Sequence, residues 1–186
     1  MTQPLLALLE HYKPFDEMEA AHLEQFRQFL NDSSNPYDRS NLVGHVVAEA
    51  WIVNPARTHV VLVEHGLNKV WIVPGGHCDG NPDVQAGAIR ETEEETGLTN
   101  LKPLLHGRLF DINVGTVPTR KKQWGIEPEH LHFDTCFAFE APDNAPLKIS
   151  DESDDLAWVA IADMQKLPSI HGHYRRQLKT LAGMLR

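Results

Sequence analysis

Apolar residues fall along this chain with two different periods. Between Phe15 and Leu30 the positions Phe15, Met18, Leu23, Phe26 and Leu30, with His22 on the same stripe, recur at helical spacing. Asp16 followed by Glu19 has the form of a capping box at the start of that stripe. Leu5, Leu6, Leu8 and Leu9 make a shorter apolar patch ended near Pro14, and Asn31-Asp32-Ser33-Ser34-Asn35-Pro36 breaks the second helix. The spacing predicts a helical hairpin whose apolar stripe must cover another surface.

From Gly44 the pattern changes to strands. Residues 45–53 and 59–63 are rich in β-formers and are joined by the turn-like Asn54-Pro55-Ala56-Arg57. Further strands are predicted at 69–73, 104–114, 131–140 and 156–161, with a helix over 82–96, a short helix over 162–167 and a terminal helix over 173–186. Strands interrupted by one central helix, with helices at both ends, predict an α/β fold with a mixed sheet covered on both faces. Residues 1–40 are expected to form a helical extension packed on a core domain spanning 41–186. There is no internal repeat or low-complexity tract.

The central helix carries the strongest chemical signal. Its end reads Arg90-Glu91-Thr92-Glu93-Glu94-Glu95-Thr96-Gly97-Leu98. On a helix Glu91, Glu94 and Glu95 stand at i, i+3 and i+4, so three like charges project from one face and repel. A hard divalent cation such as Mg²⁺ or Mn²⁺, which prefers oxygen ligands, would resolve that repulsion. Asn81 suits a helix N-cap, Pro82 the first helical position and Asp83 the first turn, while Gly97 suits the C-terminal cap. Gly87 and Ala88 are small enough for close backbone approach. Pro74-Gly75-Gly76-His77 reads as a tight loop before the helix, with Asp79 as a further carboxylate.

Residues 76–98 resemble the Nudix box, G-x5-E-x7-R-E-U-x-E-E-x-G-U with U an apolar residue. Gly76, Arg90, Glu91, Glu94, Glu95, Gly97 and Leu98 match the pattern; Pro82 replaces its first glutamate and Thr92 its apolar position. The resemblance implies an α/β/α sandwich with a mixed sheet, here with the N-terminal helical extension. It also implies hydrolysis of the pyrophosphate bond of a nucleoside diphosphate linked to another moiety, by in-line attack of metal-activated water. Gly76, Glu91, Glu94 and Glu95 are the implied Mg²⁺ or Mn²⁺ ligands, with Glu91, Glu94 and Arg90 at the catalytic centre. Arg90 would hold one glutamate in place through a bidentate pair. In such proteins a carboxylate beyond the box can act as general base, and Glu152 in Asp151-Glu152-Ser153-Asp154-Asp155 is the candidate; that run is otherwise a charged turn. The departures at Pro82 and Thr92 support an alternative, a non-catalytic nucleotide-binding or regulatory module of the same fold. Nucleotide sugars, ADP-ribose, dinucleotides, dinucleoside polyphosphates, oxidised nucleotides and capped RNA ends are all substrates within the family.

Three other features bear on substrate. His130, His132 and Asp134 alternate with Leu131, Phe133 and Thr135, so on a strand they share one face. They form a solvated face, a pocket wall for substrate, or a second metal site. His77 is a substrate contact or a loop histidine. Arg120, Lys121, Lys122 and Trp124 form the densest basic cluster, a solvated loop or a phosphate clamp with Trp124 stacking on a base.

Composition narrows the classes. With 186 residues, 41% of them hydrophobic, the chain can bury one sizeable core. A net charge of −9 disfavours long nucleic acid or anionic membrane as partner; the partner that the resemblance implies is a small nucleotide-type diphosphate. No apolar run reaches the length of a membrane span, and the first residues lack the basic start of a secretory signal. Cys78 and Cys136 make no disulfide framework, so the expectation is reduced thiols in a cytoplasmic protein. No P-loop, no EF-hand spacing and no nucleophilic triad stands out. The N-terminal hairpin is available for a homodimer contact.

Overall fold

The computed structural model describes residues 4–65, 70–122, 125–142, 145–148 and 153–167. Two helices, α1 (Pro4–Glu10) and α2 (Glu17–Asp32), precede β1 (Gly44–Val53), β2 (His59–His65), β3 (Val70–Ile72) and β4 (Gly75–His77). Helix α3 (Val84–Thr96) follows, then β5 (Lys102–Pro103), β6 (Leu109–Val117), β7 (Arg120–Lys122), β8 (Gly125–Glu127), β9 (His130–Glu140) and β10 (Ser153–Ala160). The predicted terminal helix lies outside the described residues.

Strand β1 is the axis of the main sheet. It pairs in parallel with β9 without a register shift from Gly44↔Leu131 to Val53↔Glu140. On its other side it runs antiparallel to β2 and β4. The sheet is completed by β10 and β3 on β2 and by β5 and β6 on β9. Parallel neighbours need a long crossover, and the connection from β1 to β9 contains α3. The result is a mixed α/β sheet with helices packed on it.

Side chains alternate across β1. Val46, Ala48, Ala50 and Ile52 join the core that takes in Leu5 and Leu9 of α1, Leu23, Phe26 and Leu30 of α2, and Val84 and Ala88 of α3. Trp51 and Val53 point into a second core with Val60, Leu62, Phe110, Ala138 and Met164. The N-terminal hairpin is thus anchored on the sheet: Phe29 stacks on Phe133 of β9 at 4.0 Å between ring centroids, and Phe26 meets the same ring edge-on at 5.2 Å. Asp16 caps α2 by accepting the Glu19 N–H at 2.9 Å. The buried Glu19 carboxylate accepts from the Phe15 N–H and the Tyr12 hydroxyl, so the box reaches back one residue further than its usual partner.

Several boundaries differ from expectation. The segment 74–77 is a strand at its Gly75–His77 end, because its backbone completes the ladder on β1. The strand expected over 104–114 begins with a 3₁₀ turn, Leu105–Gly107; pairing starts at Leu109, shifts register before Asp111 and is regular from there. The basic segment is the antiparallel hairpin β7–β8, closed by Lys122–Glu127 at 3.7 Å. The short helix after β10 is a 3₁₀ turn, Ile161–Lys166.

Candidate active site

Helix α3 begins later than its sequence indicates. Asn81 and Asp83 compete as caps, and Asp83 wins: its carboxylate accepts the Ala86 N–H at 3.0 Å, while Asn81 Oδ1 accepts the Asp83 N–H at 3.0 Å. Pro82 therefore precedes the cap instead of opening the helix, and the first turn holds no acid. At the other end Gly97 takes φ 70°, the left-handed conformation a helix terminus favours glycine for, and donates to Glu93 O at 3.0 Å.

Close packing holds α3 over β1 and β4. A Cβ on Gly87 would stand 3.3 Å from the Ala48 Cβ, tighter than most such contacts. Thr92, where the box pattern has an apolar residue, is fully buried, and its hydroxyl donates to Ala88 O at 2.8 Å. Thr96 does the same to Thr92 O at 2.6 Å. Both hydroxyls are satisfied within the helix, which is how polar side chains come to occupy an apolar interface.

The carboxylates divide into inward and outward groups. Glu95 Oε2 accepts the Gly75 N–H at 3.0 Å. Glu91, whose side chain is 14% exposed, lies against Gly76: a Cβ there would fall 2.5–2.7 Å from the Glu91 carboxyl atoms. Only glycine leaves that space to the carboxylate. Burial raises the Glu91 pKa, opposed by the Arg90 charge beside it. Glu94 faces solvent, with its side chain 58% exposed.

Arg90 does more than orient one glutamate. Nη2 pairs with Glu91 Oε1 at 2.8 Å and donates to His77 O at 2.7 Å; Nη1 pairs with Glu94 Oε2 at 2.9 Å. Asp79 lies 3.5 Å from Nη2. The guanidinium thus forks across two glutamates and ties the helix to β4. Burial works against its charge, but Glu91 and Glu94 outweigh this and raise its pKa. The set fits a hard divalent ion: the donors are all oxygens, carboxylates with the Gly76 carbonyl, and the missing side chain at Gly76 leaves the Glu91 carboxylate its place beside the backbone.

The opposite face of the sheet carries the histidines. His132 pairs in register with His45 of β1, and His77 is opposite Val47. The His45 ring centroid lies 5.0 Å from His77, 5.0 Å from His130 and 4.8 Å from His132. Burial pushes His77 down to about 4 and His132 to about 3, with the neighbouring imidazoles adding to the effect. Arg120 acts on His132 in the same direction, which places the basic hairpin near this face.

Deeper on the same face stand Glu49, Asp134 and Asp111. Burial raises the pKa of Asp134 to about 6, and raises Glu49 well above its ordinary value with help from Asp134 and Asp111. Asn113 Nδ2 donates to Asp134 Oδ2 at 3.1 Å.

Sequence pattern alone misses His45, Glu49 and Asp111. Each is an isolated polar residue flanked by apolar ones, and the β1–β9 and β6–β9 registers bring them beside the expected residues. Trp124 and Glu152 lie outside the described residues. Cys78 and Cys136 are buried free thiols, and burial pushes Cys78 up to about 12, so it is no ready nucleophile.

Among solved structures, the Ap4A hydrolase of C. elegans in a binary complex superposes with a TM-score of 0.59 at 19% identity, covering 75% of this chain and 96% of that one. At that identity the likeness concerns the fold. Among curated proteins, the uncharacterised Nudix hydrolase YvcI of Bacillus subtilis is 27% identical over 114 residues, 61% of this chain and 65% of its own length. A probable DHNTP pyrophosphohydrolase of Lactococcus lactis is 32% identical over 78 residues, 42% of this chain and 44% of its own length. The chain thus spans less than two thirds of either relative. The NUDIX domain profile matches residues 44–181, which include the box, both sheet faces and every strand described above. The chain belongs to the Nudix family.

Proposed function

We propose that this chain is a divalent-metal-dependent pyrophosphohydrolase acting on a nucleoside diphosphate linked to another moiety. One observation carries the reading. Glu91 and Glu95 converge on consecutive glycines of β4, Glu91 against Gly76 and Glu95 on the Gly75 N–H, so the carboxylates and a side-chain-free backbone edge meet at one place. A polyanion can approach such an edge closely. The names of the relatives, a pyrophosphohydrolase and an Ap4A hydrolase, support the same direction.

Gly76, Glu91, Glu94 and Glu95 would hold Mg²⁺ or Mn²⁺, which supplies charge neutralisation on phosphate and a more acidic water. The chain's own residues do the rest. Arg90 fixes the Glu91 and Glu94 rotamers through its two nitrogens and keeps α3 in register with the His77 carbonyl. His77, His130, His132 and Asp134 wall the opposite side for the organic part of the substrate, and Arg120 with Trp124 would reach its phosphate and base. The buried imidazoles of His77 and His132, their pKa values lowered, can donate and accept hydrogen bonds without adding charge. Glu152 is the proposed base that takes the proton of the attacking water. The functional division is an extension over 1–40 and a hydrolase domain over 41–186, in a cytoplasmic protein able to pair as a homodimer through that extension.

A second reading has its own observation. Arg90 pairs with both Glu91 and Glu94 and offsets part of their charge without a metal ion, as a nucleotide-binding or regulatory module with no turnover would allow. A screen over nucleotide sugars, ADP-ribose, dinucleoside polyphosphates and oxidised nucleotides with Mg²⁺ and Mn²⁺, with both products separated by chromatography, decides between them. Cleavage at the diphosphate supports the hydrolase; tight binding of a panel member without product supports the module.

A further inference from the structure

We propose that His45, His77 and His132 form a binding site for a borderline divalent transition-metal ion, Zn²⁺ by its ligand set, on the sheet face opposite α3. The site is separate from the carboxylates of the box and does not depend on the hydrolase reading.

Three strands supply the ligands. His45 stands on β1, His132 at the paired position on β9 and His77 at the end of β4. A ligand nitrogen from each lies within 4.8 Å of the other two. Tetrahedral zinc with Zn–N of about 2.0–2.1 Å brings nitrogens to about 3.4 Å apart, so side-chain rotation of roughly an ångström closes the site. The backbone beneath is a continuous ladder and need not move.

His45 provides the independent sign of a ligand. It is 2% exposed, and its Nε2 is buried with no hydrogen-bond partner among the described residues. Its Nδ1 faces the Asn41 carbonyl at 3.5 Å, which favours the proton on Nδ1 and leaves a lone pair on Nε2. That is the arrangement metal-bound imidazoles adopt, with the outer nitrogen on a backbone carbonyl. A buried acceptor without a donor is otherwise an uncompensated loss.

Ligand chemistry selects the ion. The trio contributes imidazole nitrogen only, which suits Zn²⁺ and its transition-metal neighbours and not Mg²⁺. His130 stacks on His45 and is held by Pro128 O at 2.8 Å, closing one side. On its outer side His130 also lines a cleft of about 270 Å³ with Arg39, Leu42, Ile126 and Glu127. Three protein ligands leave a fourth coordination position open.

The test uses the full chain, stripped with chelator and titrated with Co²⁺ and then Zn²⁺ in excess Mg²⁺ to compete for the box carboxylates. The expected result is one equivalent of Co²⁺ giving the intense visible bands of a tetrahedral nitrogen site, displaced by Zn²⁺. His45→Asn and His132→Asn should each weaken Zn²⁺ binding by more than about 100-fold, since loss of an outer-shell partner alone costs about 10–100-fold. Glu94→Gln should leave it unchanged. No stoichiometric binding to the wild-type chain, a weak octahedral spectrum, or affinity lost in Glu94→Gln and kept in both histidine variants would each overturn the site. Wild-type titration needs no variant to fold, and turnover enters none of these readouts.

Discussion

Gly76 and His77 are consecutive residues of one three-residue strand and serve opposite faces of the sheet. A Cβ on Gly76 would lie 2.5 Å from the Glu91 carboxyl carbon, whereas the His77 ring lies 5.0 Å from that of His45. Alternation along β4 therefore separates the carboxylate site from the imidazole site by the thickness of one backbone. Arg90, bonded to the His77 carbonyl, spans the joint.

Gly76→Ala tests the carboxylate side of that strand. The new methyl displaces the end of the Glu91 side chain, which is flexible, so the stability loss should be only about 1–3 kcal/mol. Turnover should fall far more than stability, because Glu91 is pushed out of place. Urea unfolding and initial rates on the same preparation measure both, and a variant with wild-type rates would show that the position of Glu91 is immaterial.

Glu94→Gln and Glu95→Gln should each reduce turnover by at least about 100-fold at saturating Mg²⁺ with little change in melting temperature. Each replaces an anionic donor by a neutral one of the same shape. Glu95→Gln can still accept the Gly75 N–H through its amide oxygen, so the fold keeps that bond. Steady-state kinetics across a Mg²⁺ series would reveal the opposite outcome, wild-type rates in both.

Thr92→Val should be neutral or stabilising by up to about 1 kcal/mol. The hydroxyl contributes only a bond back to Ala88 O within its own helix, in a fully buried position, and valine has the same shape. A thermal melt showing a loss above about 1 kcal/mol would mean that the Thr92 hydroxyl has a role beyond the helix.

Glu49 predicts how stability varies with pH. Burial, with Asp134 and Asp111 alongside, raises its folded-state pKa well above 4.5. A raised acid binds its proton more tightly in the folded state, so this contribution is complete below the unfolded value and is lost as pH rises through the folded one. Urea midpoints should therefore fall as pH rises from about 5 upward, and Glu49→Gln should flatten that slope and stabilise the chain at high pH. Parallel slopes for variant and wild type would place the titration elsewhere.

How far the sequence anticipated this molecule depended on the range of each interaction. Helical spacing of Glu91, Glu94 and Glu95 is local, and so is the alternation of His130, His132 and Asp134; both were legible. The start of α3 was not, because Asn-Pro-Asp offers two caps two residues apart in which Asp83 makes the stronger claim once Val84 docks in the core. Segment 75–77 has the composition of a turn and becomes a strand only because β1 offers it an unpaired edge. His45 acquires its neighbours only through strand pairing, His132 across the parallel β1–β9 ladder and His77 across the antiparallel β1–β4 ladder, which no local period encodes.

Titration of the stripped chain with Mn²⁺, followed by loss of the free-ion electron paramagnetic resonance signal, tests the central claim most directly. With a single equivalent of Zn²⁺ to fill any imidazole site and no more, the wild-type chain should remove Mn²⁺ from solution, while Glu94→Gln and Glu95→Gln should leave most of it free. An undiminished free-ion signal with the wild-type chain, or equal binding by all three proteins, would contradict the assignment of divalent metal to these carboxylates.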